Sequence, residues 1–262
     1  MSHDNDTIRL GYIDLSFHAA SAGVVKEILE RHGHTVSLHA APHEAMFALL
    51  HAREVDIVSS AWLPASHGAY LAPSLDDVEK LTVLYEPYCL WGVPDTIPQE
   101  LLRSVDDLKK PEVLARMDKR IDGINPGAGI SRFSKAMIDG YGLREFGYHF
   151  EAGSEESSFA KFERAVAEQR WLVLPLWSPQ YLHHDYRIRS LEEPKGMLGG
   201  QDQATLVARK AVLPRIAPAA LEALRGLYLG NDVVTGLEHA IRVEGLDAQA
   251  AARRWLDTQR AA

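Results

Sequence analysis

Two tryptophans stand in one short pattern, far apart in the chain: Trp62-Leu63-Pro64 and Trp177-Ser178-Pro179. Each closes a short apolar run of the length and content of a buried strand, residues 55–58 before the first and 171–176 before the second. Proline then stops the ladder. In an open α/β sheet ligands bind beyond the carboxyl ends of the strands, so an indole there is placed to meet one. A lone tryptophan in such a place is as well explained as a cap on the core, but two in the same pattern suggest two walls of one site. Tryptophan is the best side chain for facing a cation, at roughly 0.5–1 kcal/mol when exposed and about 2 or more when desolvated. Aromatic cages built this way hold quaternary ammonium groups.

A second constellation suits an anion. Gly123-Ile124-Asn125-Pro126-Gly127-Ala128-Gly129-Ile130 lies between an expected strand and an expected helix over residues 131–141. Free backbone N–H groups and the helix dipole converge on such a turn, where a carboxylate can sit, although the glycines also serve simply to allow the turn. It matches neither the Walker loop nor the dinucleotide fingerprint. His183 and His184 are adjacent and face different ways, with no third ligand spaced to join them, so no metal site is expected. His67 or His18 with Asp14 offers a base and an orienter for a hydrolase or lyase. No nucleophile elbow and no Ser-His-Asp spacing accompanies them, so no catalytic residue and no cofactor is assigned.

The elements that would position these groups alternate. Strands are predicted at 8–13, 35–39 and 55–58, with helices at 21–32 and 42–53 between them, the order of a parallel doubly wound sheet. The loop Asp14-Leu15-Ser16-Phe17-His18 then lies on the sheet edge that carries Trp62. Residues 81–85 and 88–93 look extended, and Val93-Pro94 reads as the crossing into a second lobe. Ser104 with Asp107 is an N-cap signal, residues 159–169 form a helix, and 186–194 look turn-like. A strand at 204–208 returns the chain to the first lobe, and helices follow at 218–229, 235–243 and 247–258. The predicted lobes are 1–93 with 204–262, and 94–203.

With 262 residues, 46% hydrophobic and 24% charged, the chain is long enough for a sizeable core. Its formal net charge of −8 argues against a nucleic-acid partner, which would need a basic stripe. Cys89 is the single cysteine, so neither an internal disulfide nor a cysteine-based zinc site forms. No apolar run is long enough for a membrane span. Residues 1–6 are polar and acidic and lack the basic, apolar and small segments of a leader, so the protein is expected either to have lost one or to be kept in the cytosol.

Taken together these motifs make the chain resemble the glycine betaine/choline-binding proteins of ABC importers, the OpuAC-like substrate-binding domains. The resemblance rests on Ser60-Ala61-Trp62-Leu63-Pro64-Ala65-Ser66-His67, on Gly123 to Ile130, on Trp177-Ser178-Pro179, on Leu191-Glu192-Glu193-Pro194, and on Gly199-Gly200 followed by Ala208-Arg209-Lys210. It implies two α/β lobes of the type II periplasmic-binding-protein-like fold, each a mostly parallel sheet flanked by helices, with the ligand cleft between them. It further implies a monomer, an extracytoplasmic location, an importer permease as partner, and a small quaternary amine as ligand. In that reading Trp62 and Trp177 are cage walls, Gly123 and Ile124 are backbone donors, and His67 is the carboxylate partner. Many relatives carry another tryptophan in the loop after the first strand. Here Tyr12, Phe17, Tyr88 or Trp91 is expected to complete the cage. Relatives often have His where this chain has Gln180. Asp14 near the cage would favour choline or carnitine over glycine betaine, unless it caps the next helix. A cytosolic sensor or buffer of the same ligand is the alternative.

Overall fold

The computed structural model describes residues 7–261, and the polar stretch 1–6 lies outside them. Among the described residues the strands are β1 (Thr7–Ile13), β2 (Thr35–Ala41), β3 (Ile57–Leu63), β4 (Val78–Tyr85), β5 (Tyr88–Pro94), β6 (Arg120–Asp122), β7 (His149–Glu151), β8 (Leu174–Ser178), β9 (Ile188–Ser190) and β10 (Gln203–Arg209). The α-helices are α1 (Ser16–Arg31), α2 (His43–His51), α3 (Gly68–Leu71), α4 (Pro111–Leu114), α5 (Gly129–Gly140), α6 (Glu155–Ala167), α7 (Leu182–Asp185), α8 (Pro218–Arg225), α9 (Asn231–Arg242) and α10 (Ala248–Ala261). The chain divides into two compact units. The first comprises the chain up to Pro87, Pro179–Tyr181 and the chain from Asp202 onward; the second comprises Tyr88–Ser178 and Leu182–Gln201.

The first unit is built on a five-stranded sheet in the order β2-β1-β3-β10-β4. β1 runs parallel to β2 and β3, while β10 lies antiparallel to both β3 and β4. The alternation of strand and helix in the sequence accounts for the parallel part. Every residue of β3 is buried, as befits a central strand with both faces covered. Its start is pinned by Asp56, whose carboxylate accepts from the backbone N–H and guanidinium of Arg9 at 2.8–3.0 Å. α1 is longer than its pattern suggests, beginning at Ser16 rather than at residue 21, because it is buried on most of its circumference and shows little amphipathic contrast. Phe17 and His18 are therefore helical, not loop residues.

The second unit departs from a mostly parallel sheet. Its main sheet is antiparallel, β8-β5-β9, beside a two-stranded parallel pair β6-β7. β5 is central in it, and Gly92 leaves room for both neighbours: a Cβ there would meet Leu176 Cδ1 at 2.7 Å and Ile188 Cγ2 at 2.8 Å. Because β5 pairs with β8 and β9, the chain changes units at Pro87–Tyr88, not at Val93–Pro94. The apolar core of this unit includes Trp91, Val105, Leu108, Ile121, Ile138 and Tyr148.

Candidate ligand site

In the first unit the site residues gather around Trp62, the penultimate residue of β3. Its indole is 5% exposed and its N–H donates to the Tyr85 hydroxyl at 3.1 Å. Phe17 packs against it at 5.2 Å between ring centroids, His18 at 5.7 Å, His67 at 6.3 Å, and Tyr85 edge-on at 6.4 Å. The turn that follows is closed twice. The His67 N–H donates to the Trp62 carbonyl at 2.8 Å, and the Trp62 N–H donates to His67 Nδ1 at 2.9 Å. Asp202 fastens the tip, its carboxylate accepting from Ala65 N at 2.7 Å and Ser66 N at 3.0 Å. Nothing in the sequence pattern marked Asp202 or Tyr85.

The bond from Trp62 N–H has a chemical consequence for His67. Nδ1 is an acceptor and carries no proton, so the neutral ring carries its hydrogen on Nε2. Tyr12 is half-buried, and its hydroxyl is held above the ordinary phenol range by burial and by the charge of Asp14. Asp14 does not cap α1: the N-cap is Leu15, with no side-chain cap. The Asp14 carboxylate is exposed and has no hydrogen-bond or ion-pair partner among the described residues.

In the second unit Trp177 lies on β8, 1% exposed, with the Phe159 ring 5.8 Å away and its carbonyl accepting from His183 Nε2 at 2.9 Å. Tyr88 on β5 is paired with Ser178 and is 43% exposed. Trp91, offered by the sequence as a cage candidate, is instead a core side chain, fully buried with its N–H on Ser134 Oγ at 2.9 Å. Alternation along β5 separates it from Tyr88, since residues an odd number apart face opposite sides. His183 and His184 also part company: His184 pairs with Asp185 at 2.9 Å.

The glycine-rich turn joins β6 to α5. Of its two expected donors, Gly123 is already used, its N–H donating to the Glu151 carbonyl at 2.9 Å. The Ile124 and Asn125 N–H groups have no partner among the described residues, and the Ile124 carbonyl is held by Ser131 Oγ at 3.1 Å. The backbone donors that the turn leaves open are thus those of Ile124 and Asn125 rather than of Gly123 and Ile124. Gly123 is needed for space, because a Cβ would stand 2.3 Å from the Phe150 ring. Gln180, next to the second Trp-x-Pro, is buried, and neither polar atom of its amide has a hydrogen-bond partner among the described residues.

Two α/β units, one carrying Trp62 and His67 at a strand end and the other carrying Trp177 and a glycine-rich turn, define a substrate-binding protein of the two-lobed type II class. The chain belongs to the OpuAC family, whose model, described as the substrate binding domain of the ABC-type glycine betaine transport system, matches residues 6–258. Among curated proteins, the glycine betaine/carnitine transport binding protein GbuC of Listeria monocytogenes is 22% identical over 147 residues, 56% of this chain and 48% of that protein. The match thus spans about half the length of that relative. Lactococcal OpuAC in its closed-liganded conformation with glycine betaine superposes with a TM-score of 0.85 at 22% identity, covering 98% of this chain and 97% of that one. An ABC-transporter choline binding protein in complex with choline gives 0.82 at 18% identity, covering 99% and 91%. No helix among the described residues is long and apolar enough to cross a membrane.

Proposed function

We propose that the protein binds a small quaternary ammonium compound outside the cytoplasmic membrane and delivers it to the permease of an ABC importer. The observation that carries this reading is Trp62, held at its strand end by its own indole N–H and by four aromatic neighbours from α1, β4 and the following turn. A methylated ammonium has no N–H to donate, so it is recognised by π-faces and by desolvation, and both tryptophans are side chains of that kind. Trp62 and Trp177 each present an aromatic face to the cation, and Tyr12, Phe17 and Tyr88 are the further aromatic candidates. A carboxylate on the ligand would take the N–H groups of the turn at Ile124 and the Nε2–H of His67.

Replacing Trp62 or Trp177 by alanine is expected to weaken binding at least tenfold, since about 1.4 kcal/mol is one decade and each indole supplies about that much to a desolvated cation. Calorimetric titration of the two variants checks it, and unchanged affinity in both would remove the cage from the account. The unpartnered carboxylate of Asp14 favours one refinement. An acid beside Tyr12 attracts the cation and accepts a hydrogen bond from a ligand hydroxyl, so choline is preferred over glycine betaine, whose own carboxylate Asp14 would repel.

A further inference from the structure

β3 contains an irregularity that the binding reading leaves unused. Across its pairing with β10, Ala61 stands opposite Thr205 and Val58 opposite Val207, so Ser59 and Ser60 together face Leu206. This is a β-bulge, and its second residue, Ser60, has φ of 53°. That is left-handed backbone, which a side chain other than glycine avoids, and such conformations persist where the surroundings over-determine them, often at functional sites. Here the bulge sits two residues before Trp62. Its effect is to re-aim the Ser60 hydroxyl into a buried polar web. Ser60 Oγ is 2.6 Å from His18 Nδ1 and 3.1 Å from Ser21 Oγ, and the Ser21 hydroxyl donates to the His18 carbonyl at 3.0 Å. Tyr85, whose hydroxyl receives the indole N–H of Trp62, is fully buried close to the Ser60 and Ser21 hydroxyls.

From these contacts we infer that Tyr85, Ser60 and His18 form a buried relay that positions the Trp62 indole for its ligand. The relay has a direction. An indole nitrogen only donates, so Tyr85 accepts from Trp62, and the Ser60 hydroxyl close to it is the acceptor inferred for its own hydrogen. Ser60 then donates to His18 Nδ1, which keeps that imidazole neutral and on the Nε2–H tautomer. The ring that ends the series carries no charge beside a pocket wall meant for a cation. Tyr85 and Ser60 are positioning residues, acting through Trp62 rather than by touching the ligand.

The inference rests on the cage reading for its effect on affinity but not for its geometry, and the test separates the two. Tyr85→Phe removes the acceptor for the indole, while Ser60→Gly removes the hydroxyl and at the same time relieves the left-handed backbone, so it is expected to fold. Both are measured in the full chain, with the indole N–H resonance of Trp62 assigned by its loss in Trp62→Phe. Each variant is expected to shift that resonance and speed its solvent exchange in the free protein, and to weaken choline or glycine betaine binding about tenfold. In the Trp62→Phe background, where no indole N–H remains, Tyr85→Phe is expected to add less than about twofold. An unshifted indole resonance in both variants, or a full loss of affinity that persists in the Trp62→Phe background, overturns the relay. A wild-type protein that binds neither ligand overturns the cage reading instead, and the indole resonance still decides the relay.

Discussion

His18 is a buried base in the first unit, and its titration has a sign that can be worked out. Burial, and then the neighbouring His43, hold its pKa well below the usual imidazole value. The rings of Phe17, Trp62 and His67 and the hydroxyl of Ser60 are its other neighbours. A histidine whose folded pKa is depressed contributes stability that is complete above its unfolded value of about 6.5 and is lost as the pH falls toward the folded value. The carboxylates held low by partners act in a different window. Burial alone would raise Glu27, but hydrogen bonds from Arg31, Gln249 and Arg253 outweigh it and bring it to about 2, so its contribution is lost only below its ordinary range. Between about pH 7 and pH 5 the urea midpoint of the wild type is therefore expected to fall, and to fall less steeply in His18→Gln, which keeps an acceptor for Ser60 but cannot be charged. Equal slopes in the two proteins would mean that His18 does not titrate as its surroundings require. His34 and His183 are also depressed, which is why the comparison is made against a single-site variant.

Helix α1 carries the aromatic support of Trp62, and α10 fixes where α1 lies. The contact between them is made at Gly23, where a Cβ would stand 2.4 Å from the Ala248 carbonyl oxygen and 2.8 Å from its carbon. Those atoms are backbone and cannot rotate away. Gly23→Ala should then push the helices apart and destabilise the first unit by about 1–3 kcal/mol, the usual penalty of overpacking, measured by urea unfolding. A variant as stable as the wild type would show that α10 yields at no loss. This same helix shows what the sequence concealed. The strand-helix order, the two Trp-x-Pro ends and the glycine-rich turn were all legible, because each depends on local pattern and punctuation. The start of α1 was not, since a helix buried on most sides has no polar face to set its phase. The end of β3 was hidden by Ser59 and Ser60, polar residues that interrupt an apolar run yet find partners inside. The burial of Trp91 was not legible either, because nothing local distinguishes an indole in a core from an indole in a site; the pairing of β5 puts it on the face opposite Tyr88, with its N–H on Ser134. Asp202 and Tyr85 reach Trp62 and its turn from distant strands or loops, which only the fold brings near.

At the scale of the whole molecule, membership of the OpuAC family and the two α/β units fit a receptor that offers aromatic faces to a cation and backbone N–H groups to an anion. The net charge of −8 suits a positively charged ligand headgroup and disfavours a polyanionic one. In the proposed reading the exposed carboxylate of Asp14 is what would favour choline over glycine betaine. The most direct test of this account is calorimetric titration of the wild-type protein with choline, glycine betaine, carnitine and glycine. Tight binding of a methylated ammonium is expected, with choline ahead of glycine betaine, and no heat with glycine, which lacks the methyl groups that an aromatic cage recognises. Silence with all three methylated ligands, or binding of glycine as tight as theirs, would contradict it.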